Sequence, residues 1–124
     1  MRALTVKQPS AWAIIHARPV KDVENRSAPV SYRGGLLIHA GLKYDAAAEQ
    51  RLRDLGIELP DEFEHGGILG RVELVDVVRD SASAFAIPGQ WHWILANPQP
   101  LPFRPCRGHQ HLFTVVDERE AARR

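Results

Sequence analysis

Residues 66–78 constrain the fold of this chain more than any other stretch. Ile68, Val72, Leu74, Val75, Val77 and Val78 fill it with apolar, mostly β-branched side chains. Such side chains lose rotamer freedom in a helix and fit a pleated surface. The run reads as one long strand, with Gly70 marking a bulge. A second buried strand, Leu36-Leu37-Ile38-His39-Ala40, is fed by the turn Arg33-Gly34-Gly35. The fold is therefore organised around a sheet.

The remaining pattern places short helices and loops around it. Residues 2–7, with Leu4 and Val6, read as a first strand. Gln8-Pro9-Ser10 then starts a short helix carrying Trp12, Ile15 and His16 at helical spacing, and Arg18-Pro19 ends it. Residues 22–26 are extended and residues 27–32 form a loop. A second helix covers residues 44–55, with Asp45 as N-cap and Gly56 just past its end. Residues 59–65 make an acidic loop and residues 81–89 a polar connection. Residues 91–96 and 112–116 supply two further strands. Between them Pro98, Pro100, Pro102 and Pro105 predict an extended crossing that donates little to a ladder. Residues 118–124 read as a charged helical tail. Strands alternating with short helices and proline loops give an α+β domain on a small, partly closed barrel.

A chain of 124 residues suits one domain spanning 1–124 and can bury a core without staples. The single cysteine, Cys106, cannot form an internal disulfide, so nothing points to an oxidising compartment. The apolar run at the N-terminus is too short for a signal peptide, and no stretch reaches membrane-spanning length. The expectation is a soluble, cytoplasmic protein with no membrane partner.

The formal net charge is only +1, but the charges are segregated. Residues 1–43 hold seven Lys/Arg against two acids, whereas residues 44–80 hold ten acids against four arginines. Such a distribution can build a basic patch on a nearly neutral protein, and a basic patch attracts phosphates. From the charge count alone, ordinary solvated surface charge is the favoured reading.

The densest chemical cluster is Lys21-Asp22-Val23-Glu24-Asn25-Arg26, followed by Tyr32-Arg33-Gly34. On an extended segment Asp22, Glu24 and Arg26 share one face, and a twist at its start brings Lys21 into the same cleft. A lysine, a carboxylate and an arginine together would order one another and leave donors for an anionic or polar ligand. A surface salt-bridge ladder of little energetic worth fits the same spacing. Trp12 is either core packing or, exposed beside basic residues, a base-stacking platform worth roughly 1–3 kcal/mol. In Trp91-His92-Trp93 the two indoles face the core and His92 faces out. His39, His65, His92, His109 and His111 are scattered, and no metal site or cofactor is expected from them. No nucleophile elbow, Cys/His signature or phosphate-binding glycine loop is present.

The series Leu4-Thr5-Val6-Lys7-Gln8-Pro9-Ser10-Ala11-Trp12-Ala13, Lys21-Asp22-Val23-Glu24-Asn25-Arg26-Ser27, Tyr32-Arg33-Gly34, Leu36-Leu37-Ile38-His39-Ala40, Gly66-Gly67-Ile68-Leu69-Gly70 and Trp93-Ile94-Leu95 resembles the ASCH domain family. The resemblance covers nearly the whole chain. It implies a PUA-like β-barrel with short helices packed around it, and a cleft that binds RNA, DNA or a nucleoside or nucleotide. It places Gln8, Lys21, Glu24, Arg26, Arg33 and Gly34 in that cleft, with Trp12 and Tyr32 near its walls. Some relatives resemble amidohydrolases of acylated cytidine or ribonucleases, which makes Lys21 and Glu24 the catalytic candidates if the chain is an enzyme. Three departures bear on this. Glu24 stands where the amidohydrolase branch has a threonine, Pro19-Val20 stand where a glycine usually precedes the lysine, and Ala28 stands where an aromatic often follows.

Overall fold

The computed structural model describes residues 1–116, and the expected tail helix at 118–124 lies outside them. Eight elements follow in order: β1 (Arg2–Gln8), α1 (Ser10–His16), β2 (Val23–Arg26), β3 (Gly34–Tyr44), α2 (Ala46–Asp54), β4 (Gly67–Val78), β5 (Trp91–Pro105) and β6 (Phe113–Thr114). The class is α+β, as the periodicities predict.

One six-stranded sheet runs β2-β5-β4-β3-β1-β6. β1 lies parallel to β3, with Leu4 opposite Ile38 and Val6 opposite Ala40, and the other pairings are antiparallel. The run that anchors the sequence argument is β4, held between β3 and β5. Its bulge falls where expected: Gly70 pairs with Ile38, but Ile68 pairs with the next residue, His39. Only glycine fits at position 70, because a Cβ there would stand 2.5 Å from the Gln99 carbonyl oxygen and 2.9 Å from Ile15.

The sheet does not close into a barrel. β2, four residues long, pairs only with residues 91–94, and β6, two residues long, pairs only with Arg2 and Ala3. Edge strands this short cannot span the gap between β1 and β2. The expected strand at 112–116 is correspondingly reduced to Phe113–Thr114.

Two other expectations are corrected. The proline segment is not a crossing but the second half of β5, with Gln99 opposite Arg71 and Arg104 opposite Ile68. Pro98, Pro100 and Pro102 alternate, so their missing donors lie along one edge, and among the described residues the short β2 leaves that edge unpaired. His92 is not exposed but 2% accessible. Trp91 and Trp93 do face the core.

The helices behave as their sequences predict. α1 buries Ala11, Ala13, Ile14 and Ile15. In α2 the Asp45 carboxylate accepts the Ala48 N–H at 3.0 Å, and Gly56 takes the left-handed conformation just beyond the last turn. The main core joins Leu4, Leu36, Ile38, Val72, Leu74 and Trp93 with α1, and a second cluster of Ala13, Ala17, Leu52 and Ile57 lies under α2.

Candidate nucleic-acid interface

A gap separates β1 from β2. An open cleft of about 1290 Å³ lies along it, with Thr5, Val6 and Lys7 of β1 on one side and Lys21 and Glu24 to Ser27 on the other. Arg26 reaches across, its Nη1 donating to the Thr5 carbonyl at 3.4 Å.

The floor is a buried ion cluster. Lys21 Nζ donates to Glu24 Oε1 at 3.1 Å and to the Val23 carbonyl, and Arg26 Nη1 donates to Glu24 Oε2 at 3.2 Å. The Lys21 and Glu24 side chains are only 7% and 9% exposed, which separates this cluster from a solvated ladder. Lys21 is fixed at its backbone as well, where its N–H donates to the Ala13 carbonyl at 3.2 Å. The Lys21 amine is the donor in both side-chain contacts. An ammonium carries three N–H donors, and these contacts use two of them. The Arg26 guanidinium, 27% exposed, also stands 5.8 Å from the Trp93 ring.

One wall is residues 106–110, latched by a buried histidine. His39 is 2% exposed. Its Nε2–H donates to the Cys106 carbonyl at 2.6 Å, which leaves Nδ1 to accept the Thr5 hydroxyl at 3.2 Å. Thr5 Oγ1 in turn accepts the His109 N–H at 3.2 Å. The wall lies so close that a Cβ at Gly108 would be 2.7 Å from both His39 and Thr5 Oγ1. Burial pushes the Cys106 thiol up, and the Arg104 charge opposes that in part.

The opposite wall is the connection between β4 and β5, which contributes Phe85, Ile87 and Pro88 to the cleft. It has no helix or strand, yet side chains fix it at several points. The Asn25 amide donates to the Phe85 carbonyl at 3.0 Å and accepts the Ile87 N–H at 2.8 Å. His92 accepts the Ser81 N–H at Nδ1 and donates from Nε2 to the Ile87 carbonyl at 2.8 Å. Ser83 Oγ donates to Asp22 at 2.6 Å and accepts the Phe85 N–H at 3.2 Å.

The rim is basic. Lys7, Lys43, Arg51 and Arg107 are exposed along it, so with Lys21 and Arg26 six cations among the described residues line the cleft against two carboxylates, Glu24 and Asp45. Among the described residues no group of His, Cys, Asp and Glu could hold a metal ion, and no helix is long and apolar enough to cross a membrane.

Of the residues singled out from sequence, the structure brings Lys21, Glu24 and Arg26 together in the cleft. The others lie elsewhere. Gln8 is fully buried, its Oε1 accepting the Trp12 N–H at 2.9 Å and its Nε2 donating to the Glu64 carbonyl at 2.9 Å, so it secures the start of α1. Trp12 packs edge-on against Phe63. The Tyr32 hydroxyl donates to the Gly35 carbonyl at 2.7 Å, and the Arg2 guanidinium covers the ring at 5.3 Å. Arg33 donates to the Val30 and Tyr32 carbonyls, and Gly34 opens β3 at φ 123°. Sequence reasoning missed Arg51, Arg107, His39, Asn25 and Phe85 as parts of the cleft. Arg51 sits in the acidic third, Asn25 falls on the other face of the extended 22–26 segment by alternation, and Arg107, His39 and Phe85 are distant in sequence.

The model of the ASCH domain matches residues 4–103. Activating signal cointegrator 1 of Homo sapiens is 29% identical over 128 aligned positions, which take in 90% of this chain and 22% of that protein. Its Mus musculus counterpart is 27% identical over the same share of each. The chain thus spans about a fifth of the length of these relatives.

Proposed function

The chain belongs to the ASCH domain family, and from that premise we propose that the cleft between β1 and β2 binds a nucleic acid or a nucleotide. The observation that carries this reading is the excess of cations over carboxylates around one large cleft. Phosphate contacts position a nucleic acid and supply most of its non-specific affinity. Lys7, Lys43, Arg51 and Arg107 are exposed on long, adaptable stems suited to phosphates. Arg26 and Lys21 are held in place by Glu24, and their remaining donors suit sugar or base oxygens deeper in the cleft.

The test is an anisotropy titration of labelled RNA and DNA oligonucleotides at low and moderate salt. Native protein is expected to bind and to weaken as salt rises. The double variant Lys43→Glu, Arg51→Glu is expected to lose most of that binding, while Arg53→Glu, on α2 but outside the cleft, keeps it. No binding at low salt, or equal loss in all variants, would remove the assignment.

A further inference from the structure

Resting on that reading, we propose that the cleft takes an unpaired base, stacked on the wall formed by Phe85, Ile87 and Pro88, so that the preferred ligand is single-stranded. The cleft has two chemically distinct sides. The rim residues Lys43, Arg51 and Arg107 are charged and exposed, whereas this wall lines the same space with apolar residues: Phe85, half-buried and packed on one side against Ala13, Ala17, Leu52 and Ile57, together with Ile87 and Pro88. A segment with no regular structure that turns apolar side chains toward an open cleft is not held by hydrophobic burial alone. Here it is held by polar side chains whose bonding capacity is given over to it. The Asn25 amide grips the backbone on both sides of Ala86, and His92, itself buried, binds both ends of the segment, at Ser81 and Ile87. The wall is therefore pre-ordered, which lowers the entropy lost on binding.

In a duplex the base faces are stacked on one another and the phosphates lie outside, so such a wall would find no face to cover. An unpaired base offers one, and stacking on a protein ring tolerates any base identity. The volume of about 1290 Å³ exceeds what a single small ligand fills and leaves room for the backbone to pass along the basic rim.

The experiment compares a labelled single strand with the same sequence in a blunt duplex, using native protein, Phe85→Leu and Asn25→Ala. Leucine keeps an apolar side chain against the Ala13, Ala17, Leu52 and Ile57 cluster, and a thermal melt checks that each variant folds. Native protein is expected to prefer the single strand by about ten-fold or more, and Phe85→Leu to lose about that factor with an unchanged salt slope. Asn25→Ala, which frees the wall without removing the ring, is expected to lose affinity as well. Equal affinity for duplex and single strand, or native-like binding by folded Phe85→Leu, overturns the stacking proposal while leaving the cleft a nucleic-acid site. Absence of any salt-dependent binding by native protein overturns both.

Discussion

At the scale of single residues, Glu24 decides how the floor of the cleft holds together. It accepts from Lys21 and from Arg26 through separate oxygens, and it is the carboxylate that neutralises a nearly buried ammonium. Removing one member of a buried pair leaves the other desolvated and uncompensated. Glu24→Ala is expected to lower unfolding stability by about 3–5 kcal/mol, read as a shift of the urea midpoint. Arg26→Ala should cost less, because the guanidinium keeps contact with water. Cys106 gives a second residue-level outcome. Its thiol is raised by burial, so at neutral pH less of it is the reactive thiolate. Alkylation by iodoacetamide is expected to run slower than for a free cysteine and to slow further when the cleft is occupied. Labelling at the free rate, unaffected by an oligonucleotide, would contradict that placement. The Lys21–Glu24–Arg26 cluster was legible in the sequence because all its members sit within six consecutive positions. Gln8 and Trp12 belong to the same stretch of matching sequence, yet they face α1 and the 59–65 loop. Local spacing does not say which side of a helix start turns toward the cleft.

At the scale of elements, strand and helix identities follow from periodicity, and what the periodicity leaves open is pairing. The β-branched run forms the central β4, and the Asp45 carboxylate caps α2. A proline counted only as a missing donor predicts a crossing, whereas what matters is the edge that donor would serve. Alternation puts those losses on the free edge of β5, and the strand continues. For His92, strand alternation tells which face the residue takes, not whether a loop covers it. The bulge at Gly70 is a testable joint: Gly70→Ala must push against backbone at the Gln99 carbonyl and is expected to cost about 1–3 kcal/mol, measured by denaturant unfolding. The wall between β4 and β5 is another. In Asn25→Ala the Ile87 amide loses its acceptor, so its hydrogen exchange is expected to accelerate while amides in β4 stay protected. Unchanged exchange at Ile87 would mean that Asn25 does not hold the wall.

At the scale of the whole molecule, the cleft lies where the sheet fails to close. Two short edge strands leave a gap, and that gap becomes a cleft because the 106–110 segment and the β4–β5 connection rise on either side of it. The segregation of charge seen along the sequence is part of the reason the cleft is basic. Lys7, Lys21, Arg26 and Lys43 come from the basic first third, whereas Arg51 and Arg107 are carried in by α2 and by the segment after β5. A chain with a formal charge of +1 can thus present a concentrated positive field on one side. The measurement that tests this most directly is the slope of log affinity against log salt for a single-stranded oligonucleotide, native protein against the triple variant Lys43→Ala, Arg51→Ala, Arg107→Ala. Each phosphate contact on a single strand contributes a slope of about −0.7. The triple variant is therefore expected to flatten the slope by about 2 units and to bind more weakly. A variant that binds with the native slope would show that the phosphates run elsewhere and that the cleft is not the interface.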